Sequence, residues 1–392
     1  MAQFDPEKIR YQLNIDEKYY SNLDVDGFSL MMKDPSYCYK FYWLEAIVKL
    51  ISRDRTEATY DEIINEMIVN AWNSVLEYHI HLSGIFGAGE IRDNLEKAVL
   101  KLHSLCDLPN NASDVEIMNQ IRIYDKVLHS KKMTLTQNVP YKALSGFANK
   151  GEDRIDLNSS AGRLMSYYNK INTRSILLPY TYGYENGLKR KLFFAPAWIQ
   201  MIQDHTVSIL GWIQYEKVKW LQNNNPEIPG LVYKLAPMDE KMRKLNNVRK
   251  LWEAVLDNQP IVDVFKNSPI DKGNYDVDHF IPWSFVMNDE LWNLMPMDVS
   301  LNSSKSNKLP KWDPFFKRFA DNQFTLYGII HDERKPEIRK KYEACYRDNL
   351  HSIWANQELY RKGNSKDEFY HILEKNMQPI YDSARRQGYQ IW

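Results

Sequence analysis

Residues 276–310 read DVDHFIPWSFVMNDELWNLMPMDVSLNSSKSNKLP. An Asp-His pair, Asp278 and His279, opens a largely apolar run that asparagines and lysines close. Successive side chains of a strand point to opposite faces, so this pair diverges unless the chain turns beside it. Pro282 favours a sharp change of direction there, because it fixes its own φ and cannot donate to a sheet. Asn302 can begin a short helix through Ser303, Ser304, Lys305 and Ser306, which would aim its amide oxygen back at a bound metal with Lys305 about one turn on. Free backbone donors at such a helix start suit a phosphate.

Hydrolysis of a phosphodiester needs an activated water, a cation against the developing charge and help for the leaving oxygen. Histidine near its ordinary pKa serves as a general base at neutral pH. A hard cation such as Mg²⁺ or Mn²⁺ prefers oxygen ligands, which Asp and Asn supply. The residues alone leave two readings open, a strand leading through a loop into a polar helix or a metal-dependent hydrolytic site.

The segment resembles the HNH endonucleases, the ββα-metal family. It is most similar to the variant found in RNA-guided type II CRISPR nucleases, where DVDH-x-x-P-x-S-F opens the motif. Carried over residue by residue, the resemblance implies Asp278 and Asn302 as metal ligands and His279 as the general base. Asn293, fourteen residues after His279, becomes the middle Asn that orients the histidine loop. The ending SSKSNK matches N-x-x-K, which makes Lys305 and Lys308 candidate phosphate contacts.

The family implies Mg²⁺ or Mn²⁺ as cofactor and DNA as partner, with RNA equally open. It also implies a bacterial anti-phage or restriction effector, working with a sensor or ATPase partner or as a homo-oligomer. A homing or mobile-element endonuclease is the alternative within the enzyme class. A non-cleaving scaffold that binds nucleic acid or protein is the alternative outside it. The likeness covers about 35 residues, and the chain departs from it in two respects. Many HNH proteins carry two CxxC pairs around the motif, and none occurs here. Packing must then hold the module, with Phe280, Ile281, Trp283, Phe285, Trp292, Leu294 and Met295 as its expected core. The chain is also too short for the RNA-guided architecture.

The 392 residues are 44% apolar and 26% charged, and carry 25 Tyr and 11 Trp, which excludes a disordered chain. Lys plus Arg (51) equals Asp plus Glu (51), so overall charge neither favours nor excludes a nucleic-acid partner. Cys38, Cys106 and Cys345 lie far apart and form no disulfide framework. The N-terminal MAQFDPEKIRYQL lacks the apolar core of a signal peptide, and no run of about 18 apolar residues occurs. The expectation is a soluble, cytoplasmic protein with no membrane span.

The fold class expected is mostly α with a small α+β module. The expected divisions are an N-terminal helical domain (1–138), a middle region with a hairpin and a long helix (139–265), the HNH module (266–320) and a C-terminal helical region (321–392). Helical spacing marks 39–52, and capping boxes mark Thr59/Glu62, Ser113/Glu116 and Ser365/Glu368. Asn186-Gly187 predicts a tight hairpin, its Lys189-Arg190-Lys191 cluster read as a solvated edge. One helix is expected over 197–222 and another over 239–256. The glycine-bearing loop SGIFGAGE has no following GK[ST] and is not read as a phosphate loop.

Overall fold

A computed structural model describes residues 13–33, 35, 37–84, 91, 93–150, 152–172, 177–235 and 243–392. Most of the glycine-bearing loop, Ile85–Glu90, lies outside the described residues, as does the start of the helix expected from Asp239. The chain forms two compact units, Met1–Asn225 and Pro226–Trp392. Among the described residues no helix is long and apolar enough to cross a membrane.

In the first unit the helices Tyr39–Ser52 and Tyr60–Leu76 pack together. Their shared interior holds Trp43, Ile47, Ile63, Met67 and Trp72, all at most 1% exposed. Thr59 and Glu62 close a reciprocal capping box at the start of the second helix, so two otherwise orphaned amides are satisfied before the first turn. The hairpin expected at Asn186-Gly187 is present but looser than a two-residue turn. Strand β2 (Tyr180–Tyr182) and strand β3 (Lys191–Phe194) pair with Tyr182 opposite Leu192, and a single 3₁₀ turn fills the loop. Gly187 takes the left-handed conformation, at φ 62°, while Asn186 stays extended. A third strand, β1 (Glu57–Thr59), completes the sheet against the other edge of β3.

The single helix expected over 197–222 is two, Pro196–Asp204 and Thr206–Asn224. His205 between them leaves helical geometry at φ −123° and ψ 21°. The Thr206 hydroxyl then donates to the Ile202 and Gln203 carbonyls, ending the first helix.

The second unit is built around a small antiparallel pair. Strand β4 (Tyr275–His279) runs against strand β5 (Leu294–Asp298), with His279 opposite Leu294 and Tyr275 opposite Asp298. A helix, Val299–Lys305, follows at once. This ββα unit sits among the helices Asn246–Asn258, Trp312–Ile330, Pro336–Asn349 and Lys366–Arg386. Mostly α with a small α+β module therefore describes the fold.

Burial along β4 alternates, with Tyr275, Val277 and His279 inward and Asp276 and Asp278 toward the outer face. Phe280, Ile281, Phe285, Trp292, Leu294 and Met295 are each at most 2% exposed. Phe280 lies 4.7 Å, ring to ring, from Phe319 of the neighbouring helix. Each such side chain contributes about 1.5–3 kcal/mol on burial, so packing supplies much of what holds this module together. Polar ties add register: Gln323 donates to the Leu291 and Leu294 carbonyls at 3.3 and 2.8 Å. Trp283 departs from the expected core, because it is only half-buried and carries the Arg243 guanidinium 4.7 Å from its ring centre.

Candidate nuclease site

Asp278 and His279 stand at the end of β4, and the helix Val299–Lys305 packs on the outer face of that strand. The helix begins three residues before the expected start. Asp298 caps it, accepting from the Ser300 and Leu301 amides at 2.9 and 3.3 Å, so those donors are spent within the chain. Asn302 is consequently an interior residue of the helix. Residues three apart on a helix share a face, which sets Asn302 and Lys305 against residues two apart on the strand. Asn302 Nδ2 donates to Asp276 Oδ2 at 3.4 Å, and Lys305 Nζ donates to Asp278 Oδ2 at 2.8 Å.

Lys305 is 0% exposed and also donates to the His279 carbonyl at 2.8 Å. Its ammonium faces the protein interior, so the solvent-side phosphate contact expected of it has no counterpart in this geometry. Lys308 is only partly buried. Arg249 completes the outer row, holding Asp276 through Nη2 at 3.2 Å.

His279 is 1% exposed, and its partners settle its tautomer. Nε2 faces two acceptors, the Asn288 carbonyl and Asp289 Oδ1, both at 3.1 Å, so Nε2 carries the proton. Nδ1 therefore presents its lone pair, and Arg243 Nη2 donates to it at 3.3 Å. Burial pushes the His279 pKa down, helped by Arg243 and opposed by Asp289 and Asp278. Burial alone would raise the Asp289 carboxyl. Hydrogen bonds from His279 and the Lys244 amide, with Arg243 beside it, outweigh that and hold it below the usual carboxylate range.

Asn293 is wholly buried beneath the histidine loop. Its Oδ1 accepts from the Ile281 amide and its Nδ2 donates to the Ile281 carbonyl, both at 2.8 Å, so both polar groups of one loop residue are closed by one side chain. The Phe280 amide also donates to the Asn293 carbonyl at 2.8 Å.

Among the described residues no three His, Cys, Asp or Glu side chains gather to hold a metal ion. Among the described residues the oxygen donors on this face include the Asp278 carboxylate, the Asp276 carboxylate and the Asn302 amide oxygen, whose nitrogen is turned to Asp276. A carboxylate and an amide oxygen fit a hard, largely hydrated cation that takes one or two protein carboxylates.

Residues 265–311 match the family model described as HNH endonuclease. The match spans the ββα unit and its flanks, and the nuclease domain it describes is the coarse assignment this region carries. Neither the comparison with curated proteins nor that with solved structures gives a match.

Three residues of this site escaped the sequence reading. Asp289 stands in a polar MNDE stretch that reads as an ordinary loop, although loops on a rigid scaffold often carry function. Arg243 and Arg249 lie some thirty residues upstream, where nothing local ties them to the motif.

Proposed function

We propose that this module hydrolyses phosphodiester bonds in DNA with Mg²⁺ or Mn²⁺ held by Asp278 and Asn302. When bound, the ion supplies positive charge against the scissile phosphate and the departing oxygen. His279 takes the proton of the attacking water at Nδ1. Asp289 and the Asn288 carbonyl keep the Nε2 proton in place, and the Asp289 charge stabilises the imidazolium as it forms. Asn293 keeps the loop after His279 in shape through Ile281, and Lys305 fixes both Asp278 and the His279 carbonyl. The observation that carries this reading is the imidazole pinned at Nε2 with its lone pair left at Nδ1.

The larger of the two units, Met1–Asn225, lies outside the matched residues. That division suits an effector of an anti-phage or restriction system, in which the helical unit recognises DNA or a sensor protein. The test is cleavage of plasmid DNA, and of RNA in parallel, by the purified chain with Mg²⁺, Mn²⁺ or EDTA beside His279→Ala. Metal-dependent nicking of DNA, lost in the variant, is expected. Cutting by His279→Ala at the parental rate would remove the proposed base, and cutting of RNA alone would change the substrate.

A further inference from the structure

We propose that Arg243 is a phosphate-binding catalytic residue of this site, stored over the base until a phosphodiester takes it. The proposal rests on the hydrolytic reading above and adds the group that receives the substrate's charge. A water hydrogen-bonded to Nδ1 stands about 2.8 Å away and attacks phosphorus from about 3–3.5 Å, so the phosphate lies within roughly 6 Å of Nδ1. Arg243 Nη2 is 3.3 Å from Nδ1, which puts the guanidinium inside that radius.

Its present bonds leave it able to bind an anion. Among the described residues, Arg243 Nε donates to Asp289 Oδ1 at 3.1 Å and Nη2 donates to His279, which engages two of the five guanidinium N–H groups. The side chain is 38% exposed, and its plane is steadied by Trp283. Three other basic groups near the motif, Lys305, Arg249 and Lys266, are each held by a carboxylate, on Asp278, Asp276 and Asp298 respectively. The single ring nitrogen of His279 accepts one long hydrogen bond from Arg243, whereas a phosphate offers charged, paired acceptors matched to the guanidinium fork. When the phosphate arrives, the Nη2 hydrogen bond passes from Nδ1 to a phosphate oxygen. The lone pair of His279 is then free for water, while Asp289 keeps hold of both the imidazole and Arg243 Nε.

The experiment is equilibrium binding of a short fluorescent DNA duplex to the full chain in EDTA, by anisotropy over a series of KCl concentrations. Arg243→Ala and Arg243→Lys are compared with the parent. Arg243→Ala is expected to weaken binding about tenfold or more and to lower the slope of log K against log salt by about one. Arg243→Lys keeps the charge and should retain that slope while recovering only part of the affinity. A merely structural arginine would lower the melting temperature and leave the slope alone. An unchanged slope and affinity in Arg243→Ala, a parent that binds no duplex, or an alanine variant that binds as before and cuts faster would each overturn the proposal. Metal-dependent cleavage by the parent judges the nuclease reading separately, because binding in EDTA does not depend on it.

Discussion

Replacing Asn293 by Ala tests how the histidine loop is held. The side-chain amide makes two 2.8 Å hydrogen bonds, one to each backbone group of Ile281, and both residues are fully buried. Alanine removes both bonds at once and leaves the Ile281 N–H and C=O unpaired, at about 1–3 kcal/mol for each orphaned group. The expected loss is about 4 kcal/mol, a large share of the roughly 5–15 kcal/mol that a domain possesses. Urea unfolding of the full chain followed by circular dichroism measures it as a lower midpoint at unchanged slope. If His279 is the base proposed above, cleavage should fall further than stability explains, since Ile281 follows it by two residues. Asn293→Asp gives an internal check: its carboxylate can accept from the Ile281 amide, but only the protonated form can donate to the carbonyl. That variant should therefore gain stability as pH falls through its raised pKa and lose it as pH rises. A loss below about 1 kcal/mol in Asn293→Ala would mean that water replaces the amide, and the orienting role would fail.

Lys305→Met keeps the length of the side chain but deletes the ammonium on Asp278 and the His279 carbonyl. It should cost about 3 kcal/mol, and a double-mutant cycle with Asp278→Asn should return a coupling above about 1 kcal/mol in urea melts. Asp93, the buried cap of the helix Asn94–His103, has its pKa pushed up by burial to about 6 from 3.8. Its folded pKa exceeds the unfolded one, so this stability is present below about pH 4 and lost as pH rises through 6. Asp93→Asn should gain on the parent by up to about 3 kcal/mol across that window, read from urea midpoints at each pH. Mn²⁺ titration in the presence of a short DNA duplex, followed by electron paramagnetic resonance, should show binding to the parent that Asp278→Ala abolishes.

Local rules carried much of the fold. The helix Tyr39–Ser52 and the three capping boxes follow from spacing and from side chains within a turn of each other, which a sequence displays directly. Strand β1 was invisible because three residues, EAT, have no period to read and pair with β3 more than 130 positions away. The break at His205 hides inside a pattern that is helical on both sides. Around the motif, the order of strand, strand and helix is legible from the resemblance, and the polar partners are not. Lys305 illustrates the difference. A lysine in a polar helix reads as solvated, but Asn302 and Lys305 are three apart, so a helix that turns one toward β4 turns the other with it. That step needs only helix geometry, whereas Arg243 and Asp289 needed the tertiary structure.

Among the described residues the charges around His279 form three pairs, and the pairing bears on how the site would meet a cation. Asp276 faces Arg249, Asp278 faces Lys305, and Asp289 faces Arg243. With each carboxylate matched by a base, the row is stable without a metal and exerts little net pull on one. A phosphodiester changes this balance by bringing its own negative charge and, on the reading above, by drawing Arg243 toward itself. On the proposed function, Asp278 and Asn302 would hold the cation together with the substrate phosphate, consistent with the preference of Mg²⁺ for one or two carboxylates and a substrate phosphate. Metal and nucleic acid should accordingly strengthen each other's binding by the same factor, since coupling between two ligands is reciprocal. Lys305 keeps its place throughout, because its second bond, to the His279 carbonyl, ties the strand end to the helix whether or not Asp278 has another partner.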